Sequence, residues 1–271
     1  MNAQPNRQQF ALSPLHVAVS RLQRMFDATV INEIVNHPDV LPHVGGSGQP
    51  LDLSDVVKDP QNICFYDDGC VGIFNALTPG IFEIHSMALP EKRGKQLALA
   101  AAAAMHVIFT RTRAIEVITR IPPGNIRAFA AAKRLGFRLE FTTPHGWISP
   151  TGSGPVGWYR LSLQDWASIA PGLVERGRWF HDKVEAACAR SGVVRAHHPD
   201  DDTHNRFAGM ACEMILGGMI EKGLHFLNRF NAITRAPAVQ VMSVNPLVIH
   251  IGDIALGVNL ETQEIDIVKA Q

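Results

Sequence analysis

Residues 81–104, IFEIHSMALPEKRGKQLALAAAAA, constrain this chain more than any other stretch. They read as a strand, a sharp turn at Pro90, a short basic loop holding one glycine, and a long alanine-rich helix. That helix has almost no polar face, so it has to be buried on most sides. Ala98, Ala101, Ala102 and Ala104 let it lie close on a sheet. The loop Arg93-Gly94-Lys95-Gln96-Leu97-Ala98 opens the helix. The first turn of a helix carries unpaired backbone N–H groups and the positive end of the macrodipole, which together favour a phosphate. A strand, a basic loop and a helix in this order form a candidate pyrophosphate cradle.

The flanking segments give this unit a sheet to belong to. Ile63-Cys64-Phe65-Tyr66 and Cys70-Val71-Gly72-Ile73-Phe74 are β-favouring runs around a turn ending in Asp68-Gly69, a hairpin signal. Thr78-Pro79-Gly80 turns the chain into strand 81–89, so three neighbouring strands must pair antiparallel. Strand 114–121 follows the alanine-rich helix. A strand, a crossover helix and a strand make a βαβ unit, with its strands parallel or nearly adjacent. Pro122-Pro123-Gly124 breaks the chain. Asn125 suits an N-cap for a helix over 126–135, and Gly136 suits its end. Strands 137–141 and 155–163 follow, with 151–154 as a loop. Ahead of the hairpin, residues 1–14 read as a polar arm and 16–22 as a first strand. Val30, Ile31, Ile34 and Val35 have helical spacing, and that helix must stop before Pro38. The loop from 36 to 46 is irregular. Its His37, Asp39 and His43 fit either a surface connection or a substrate-facing loop.

Composition narrows the classes. The chain of 271 residues carries 25 basic and 25 acidic side chains, a formal net charge of +0. No bulk attraction to nucleic acid or to a membrane surface is expected. The N-terminal residues lack the apolar core of a signal peptide, and no run reaches the ~18 apolar residues a membrane span needs. Cys64, Cys70, Cys188 and Cys212 show no CxxC spacing. Cys64 and Cys70 flank the hairpin and have the option of facing each other, but free buried thiols are expected.

Two segments carry a resemblance to the Gcn5-related N-acetyltransferase (GNAT) family. Residues 89–98 line up with the family's Arg/Gln-x-x-Gly-x-Gly/Ala loop. Asn125-x-x-Ala128, leading to Leu135-Gly136-Phe137, lines up with its Asn-x-x-Ala helix closed by Gly-Phe. The resemblance covers about residues 10–163. It implies an α/β fold, a GNAT-like mixed sheet with flanking helices over 15–163; the pattern of the remaining residues adds a smaller C-terminal α+β module over 164–271. It implies acetyl-CoA as cofactor, with Met87, Leu89, Arg93, Gly94, Lys95, Gln96, Ala98 and Asn125 as the cofactor-binding positions. The family often places its base on the strand before the loop. Glu83 stands there, with His85 two residues on and so on the same face; the pair also fits a half-exposed polar contact with no chemistry. Two positions depart from the pattern. Gln96 stands where a glycine lets backbone approach the pyrophosphate, and Ala132 where a tyrosine protonates the leaving thiolate. Such changes weaken binding and slow transfer without forbidding it, because water also protonates a thiolate.

The last hundred residues carry no catalytic signature. A helix is predicted over 174–189, an αα-hairpin over 205–216 and 219–230, and short strands over 239–244, 247–251, 254–259 and 264–268. His197, His198, Asp200, Asp201, Asp202 and His204 cluster without the spacing of a closed zinc site, so no metal is expected, and Asp201, Asp202 or Thr203 caps the next helix. Over its full length the chain resembles proteins of tailed bacteriophages encoded near virion genes in short-tailed phages. That resemblance implies a virion adaptor at the tail or head–tail joint, built on a non-catalytic GNAT-like fold. Its partners would be other virion proteins or copies of itself, and its location the virion or the bacterial host cytoplasm. The alternative is an acetyl-CoA-dependent N-acetyltransferase with Glu83 or His85 as base.

Overall fold

A computed structural model of the chain describes residues 14–193, 201–234 and 238–268. The expected N-terminal arm, and His197, His198 and Asp200, lie outside the described residues. The chain divides into two compact units, the first spanning Pro14–Ala170 and the second beginning at Pro171. Among the described residues no helix is long and apolar enough to cross a membrane.

The first unit runs α1 (Pro14–Arg21), β1 (Gln23–Met25), α2 (Ala28–Val35), α3 (Ser54–Lys58), β2 (Ile63–Asp67), β3 (Cys70–Thr78), β4 (Ile81–Ala88), α4 (Lys95–Arg111), β5 (Glu116–Ile121), α5 (Ile126–Arg134), β6 (Arg138–Ser149), β7 (Gly152–Ser162) and α6 (Leu163–Ile169). Its strands form a mixed sheet in the order β1-β2-β3-β4-β5-β7-β6. This is the expected α/β, GNAT-like sheet with flanking helices. The β2–β3 turn places Asp68 at φ 43° and Gly69 at φ 81°. Two left-handed residues make the turn that matches strand twist, and Asp-Gly supplies them. β4 and β5 are parallel because α4 carries the chain from one to the other. Ile31, Ile34 and Val35 of α2 and Val57 of α3 pack over Cys64, Val71, Ile73 and Met87. Residues of opposite parity, Cys70 and Ala88, meet Leu97 and Ala100 of α4 on the other face. All four cysteines are free and buried. The register sets Cys64 opposite Ile73 and Cys70 opposite Asp67, so the two do not face each other.

The sequence misleads in two places. The expected first strand over 16–22 is the helix α1, with Leu15 and Ala18 buried at helical spacing and the element packed on α4. Its β-branched valines are too few to outweigh that contact. The expected loop 151–154 belongs to a long hairpin, β6 with 12 residues and β7 with 11. Most of β6 is exposed at the sheet edge, so apolar alternation marks only its start, up to Phe141.

The second unit contains α7 (Leu173–Arg190), α8 (Asp202–Leu216) and α9 (Ile220–Thr234), then β8 (Val239–Val244), β9 (Leu247–Ile251), β10 (Ile254–Asn259) and β11 (Glu264–Ile267). The strands form an antiparallel meander, β11-β10-β9-β8. Val184, Ala211, Ile215 and Leu224 of the helices close on Val239, Ile249, Leu256 and Ile265 of the sheet. Asp201 caps α8, its side chain accepting from the Thr203 N–H at 2.9 Å. α7 and α8 approach through glycines. A Cβ on Gly177 would overlap the Asn205 carbonyl, and one on Gly209 would overlap the Leu173 carbonyl. Because the obstruction is backbone, a side-chain rotation cannot relieve it. Gly209→Ala is expected to lower stability by about 1–3 kcal/mol, read as a lower urea midpoint by Trp179 fluorescence. Gly124→Ala, with open space around it, should leave the midpoint in place.

Candidate functional site

The site begins where the sheet comes apart. β4 pairs with β5 only from Ile81 opposite Glu116 to Glu83 opposite Ile118. Beyond that point β4 stays with β3 as far as Ala88, and β5 stays with β7 as far as Ile121. The two half-sheets therefore diverge and leave a wedge. The Thr119 hydroxyl crosses it near the apex, donating to the Ile84 carbonyl at 3.2 Å. Past that bond, the β5-facing backbone of residues 85–88 has no ladder partner among the described residues. Chain leaving the wide end of the wedge enters α4.

The start of α4 is open. Its N-cap is Gly94 at φ 83° and ψ −123°, and no side chain caps it among the described residues. The first backbone bond runs from the Ala98 N–H to the Gly94 carbonyl at 3.0 Å, so helix geometry leaves the N–H groups of Lys95, Gln96 and Leu97 without intrahelical acceptors. The Gln96 side chain is drawn sideways to the β2–β3 turn, its Nε2 donating to the Asp68 carbonyl at 3.0 Å and to Asp68 Oδ2 at 2.9 Å. Lys92 Nζ donates to the same carboxylate oxygen at 2.7 Å. Hydrogen bonds from Lys92 and then Gln96 hold the Asp68 carboxyl below the usual range. Lys92 thus offsets the Asp68 carboxylate that Gln96 contacts.

The other expected cofactor positions sit as follows. Arg93 Nη2 donates to the Asp39 carbonyl at 2.6 Å and its Nε to the Ala88 carbonyl at 3.4 Å, so Arg93 ties the loop after α2 to the end of β4. Met87 is buried in the core beneath α2 and α3. Leu89 donates its N–H to the Gly69 carbonyl at 3.0 Å. The Ala98 N–H is already used within the helix. Asn125 caps α5, its Oδ1 accepting from the Ala128 N–H at 3.1 Å. The backbone N–H groups without intrahelical acceptors are therefore those of residues 95–97.

Glu83 and His85 share a face of β4 beside the apex. Glu83 is buried with 6% exposure, whereas the His85 side chain is 40% exposed. Arg120 Nε donates to Glu83 Oε1 at 2.5 Å, and His85 Nε2 lies 3.6 Å from the same oxygen. The Arg120 guanidinium sits 5.2 Å over the ring of Trp158, which itself stacks on Phe141 with centroids 5.5 Å apart. Arg160 pairs with Glu116 at 3.1 Å and Glu140 at 2.9 Å. Burial pushes the His85 imidazole below its ordinary value of 6.5; the Glu83 carboxylate pulls it up and Arg120 pushes it down. Burial thus favours the neutral form of the partly exposed His85 imidazole, while Glu83 is buried against Arg120. Sequence reasoning missed Arg120. The signal was there in principle: in a parallel pair with Glu83 opposite Ile118, position 120 falls on the face of 83 and 85.

The lowered imidazole has a consequence for stability. The unfolded chain takes up a proton at His85 near pH 6.5 and the folded chain resists it. The unfolded state therefore binds more protons, and stability falls as pH drops from 6.5 toward the folded value. His85→Gln is expected to flatten that part of the urea midpoint against pH, and an unchanged slope would contradict it.

No family model and no curated protein matches the chain. Among solved structures it is similar to spermidine N-acetyltransferase from Vibrio cholerae in complex with CoA and spermine, at 14% identity over 54% of this chain and 98% of that one, TM-score 0.47. It is similar to AAC(6')-Ib in complex with ribostamycin and coenzyme A, at 17% identity over 56% and 98%, TM-score 0.46. It is also similar to a GNAT-family acetyltransferase from Bacillus anthracis, at 16% identity over 53% and 96%, TM-score 0.44. At such identities no activity carries over, and the strand order and the wedge define the GNAT-like sheet by themselves.

Proposed function

We propose that the first unit binds acetyl-CoA and transfers its acetyl group to an amine. The observation that carries this reading is the wedge between β4 and β5, with an uncapped helix start at its wide end and a neutral imidazole near its apex. The diphosphate would lie on the N–H groups of residues 95–97, favoured by the helix dipole, with Lys95 adding charge at the surface. The free β4 edge over residues 85–88 offers donors and acceptors for an amide-bearing arm. Acetyl-CoA supplies an activated thioester. His85 takes the proton that the amine sheds as the C–N bond forms and the C–S bond breaks. The leaving thiolate takes its proton from water: Ala132 is buried in α5, and the nearby Tyr159 ring packs against Phe129.

The reading as a virion adaptor rested on the full-length resemblance to phage proteins, on Gln96 obstructing the seat, on Ala132 and on a second module without a catalytic signature. With the Gln96 amide bound to Asp68 the obstruction is removed, and no feature of the described residues favours that role. Isothermal calorimetry is expected to give a Kd for coenzyme A in the micromolar range, about −8 kcal/mol. Lys95→Glu should weaken it at least ~10-fold. Acetyl transfer to a panel of amines, followed by thiol release, should fall about 10²–10⁴-fold in His85→Ala with coenzyme A affinity retained. No heat at about millimolar coenzyme A would overturn the proposal.

A further inference from the structure

Glu83 Oε1 has two suitors. Arg120 Nε donates to it at 2.5 Å, and His85 Nε2 stands at 3.6 Å, just outside hydrogen-bond reach. We infer that Arg120 is the positioning residue of this site: by occupying Glu83 Oε1 it withholds the carboxylate from His85 and leaves the imidazole as the group that takes the proton. This rests on the acetyltransferase reading for its catalytic meaning, but not for its test.

Three features hold the arrangement. Glu83 closes the β4–β5 ladder opposite Ile118, so its backbone is fixed. Arg120 lies opposite Trp158 in the β5–β7 register, and the indole supports the guanidinium plane from beneath at 5.2 Å. A planar fork held over an aromatic ring keeps its aim better than a flexible ammonium would. Glu83 is buried, and a buried carboxylate without a cation would draw the nearest available one. In the absence of Arg120 that cation is the His85 imidazolium, which has no proton-accepting nitrogen left for an amine.

The charged groups around His85 are few. Glu83 is on its own strand and Arg120 on β5; the neighbour across on β3 is Ile73. α2 and α3 bring Ile31, Ile34, Val35 and Val57 to this face, and their charged residues Glu33, Asp55 and Lys58 are exposed. On β7, Arg160 is engaged by Glu116 and Glu140. Removing Arg120 therefore leaves Glu83 as the group that decides the protonation of His85.

The test is an NMR titration of the His85 ring protons in the full chain, with no coenzyme or acceptor added. Arg120→Gln is expected to raise the His85 midpoint by about one unit or more, and Glu83→Gln to lower it. Arg120→Lys should fall between wild type and Arg120→Gln. Should Arg120→Gln fail to fold, Glu83→Gln and Trp158→Leu read the same coupling, the latter as a smaller rise. A His85 midpoint that ignores both Arg120→Lys and Glu83→Gln overturns the inference. Where turnover is measurable, the acid limb of kcat/KM should move with the NMR midpoint. Shifted midpoints in a protein that transfers no acetyl group would uphold the role of Arg120 and remove the acetyltransferase reading alone.

Discussion

The contact on which the candidate site of the first unit depends is the short ladder between β4 and β5. It ends after Glu83 and Ile118, although each strand continues on its other side. Unpaired backbone is unfavourable wherever it is dry, so a sheet that opens in its middle needs a reason to stay open. The reason lies in the two half-sheets: β4 is held by β3 along its length and β5 by β7, so each keeps its own twist. At the apex the ladder is replaced by side chains. Thr119 bridges to Ile84, and Arg120 to Glu83. The ion pair thus does two things at once. It satisfies a buried carboxylate at the point where backbone pairing stops, and it leaves the residue two positions on with a free imidazole.

At the wide end, electrostatics decide what the opening can accept. The start of α4 offers N–H groups and a partial positive charge, and a nearby acid would spoil it. Asp68 is that acid, delivered by the Asp-Gly turn of the β2–β3 hairpin. Lys92 and Gln96 both bind it, and the glutamine thereby leaves the helix start. The same residue that reads in the sequence as an obstruction becomes in three dimensions part of the arrangement that clears and neutralises the seat. Its side-chain direction is set by a residue 28 positions earlier, which no local pattern reveals.

That contrast marks what the sequence could disclose. Elements bounded by turn chemistry were legible: strands 239–244, 247–251 and 254–259 fall where the structure has β8, β9 and β10, because Asn-Pro and Gly-Asp end them sharply. The β2–β3 hairpin and the Asn125 cap follow from the same local rules. Elements whose identity depends on a distant partner were not legible. α1 takes its conformation from packing on α4, and β6, expected only as far as 141, continues along β7 to Ser149 as an exposed edge. Gly177 and Gly209 are intelligible only once α7 and α8 touch. The site divides along the same line. Glu83 and His85 share a face by simple alternation, whereas Arg120, 37 positions from Glu83, required the register of a parallel pair.

The same geometry bears on how an acyl group would travel. A covalent route through cysteine needs a thiolate, because the thiol form is a poor nucleophile. The first unit has two cysteines, both buried. Burial first, then the nearby Asp67 and Asp68 carboxylates, pushes the Cys70 thiol up to about 11, and burial raises Cys64 as well. Cys70 also faces α4, with Leu97 and Ala100, on the side of the sheet away from His85. Neither thiol is poised to carry an acyl group, so the proposed transfer does not run through a cysteine of this unit. Direct attack needs the amine in its neutral form at the moment the bond is made, and an ammonium must first surrender a proton to a base of suitable strength. That requirement gives the protonation state of His85, and hence the pairing of Arg120 with Glu83, its place in the chemistry.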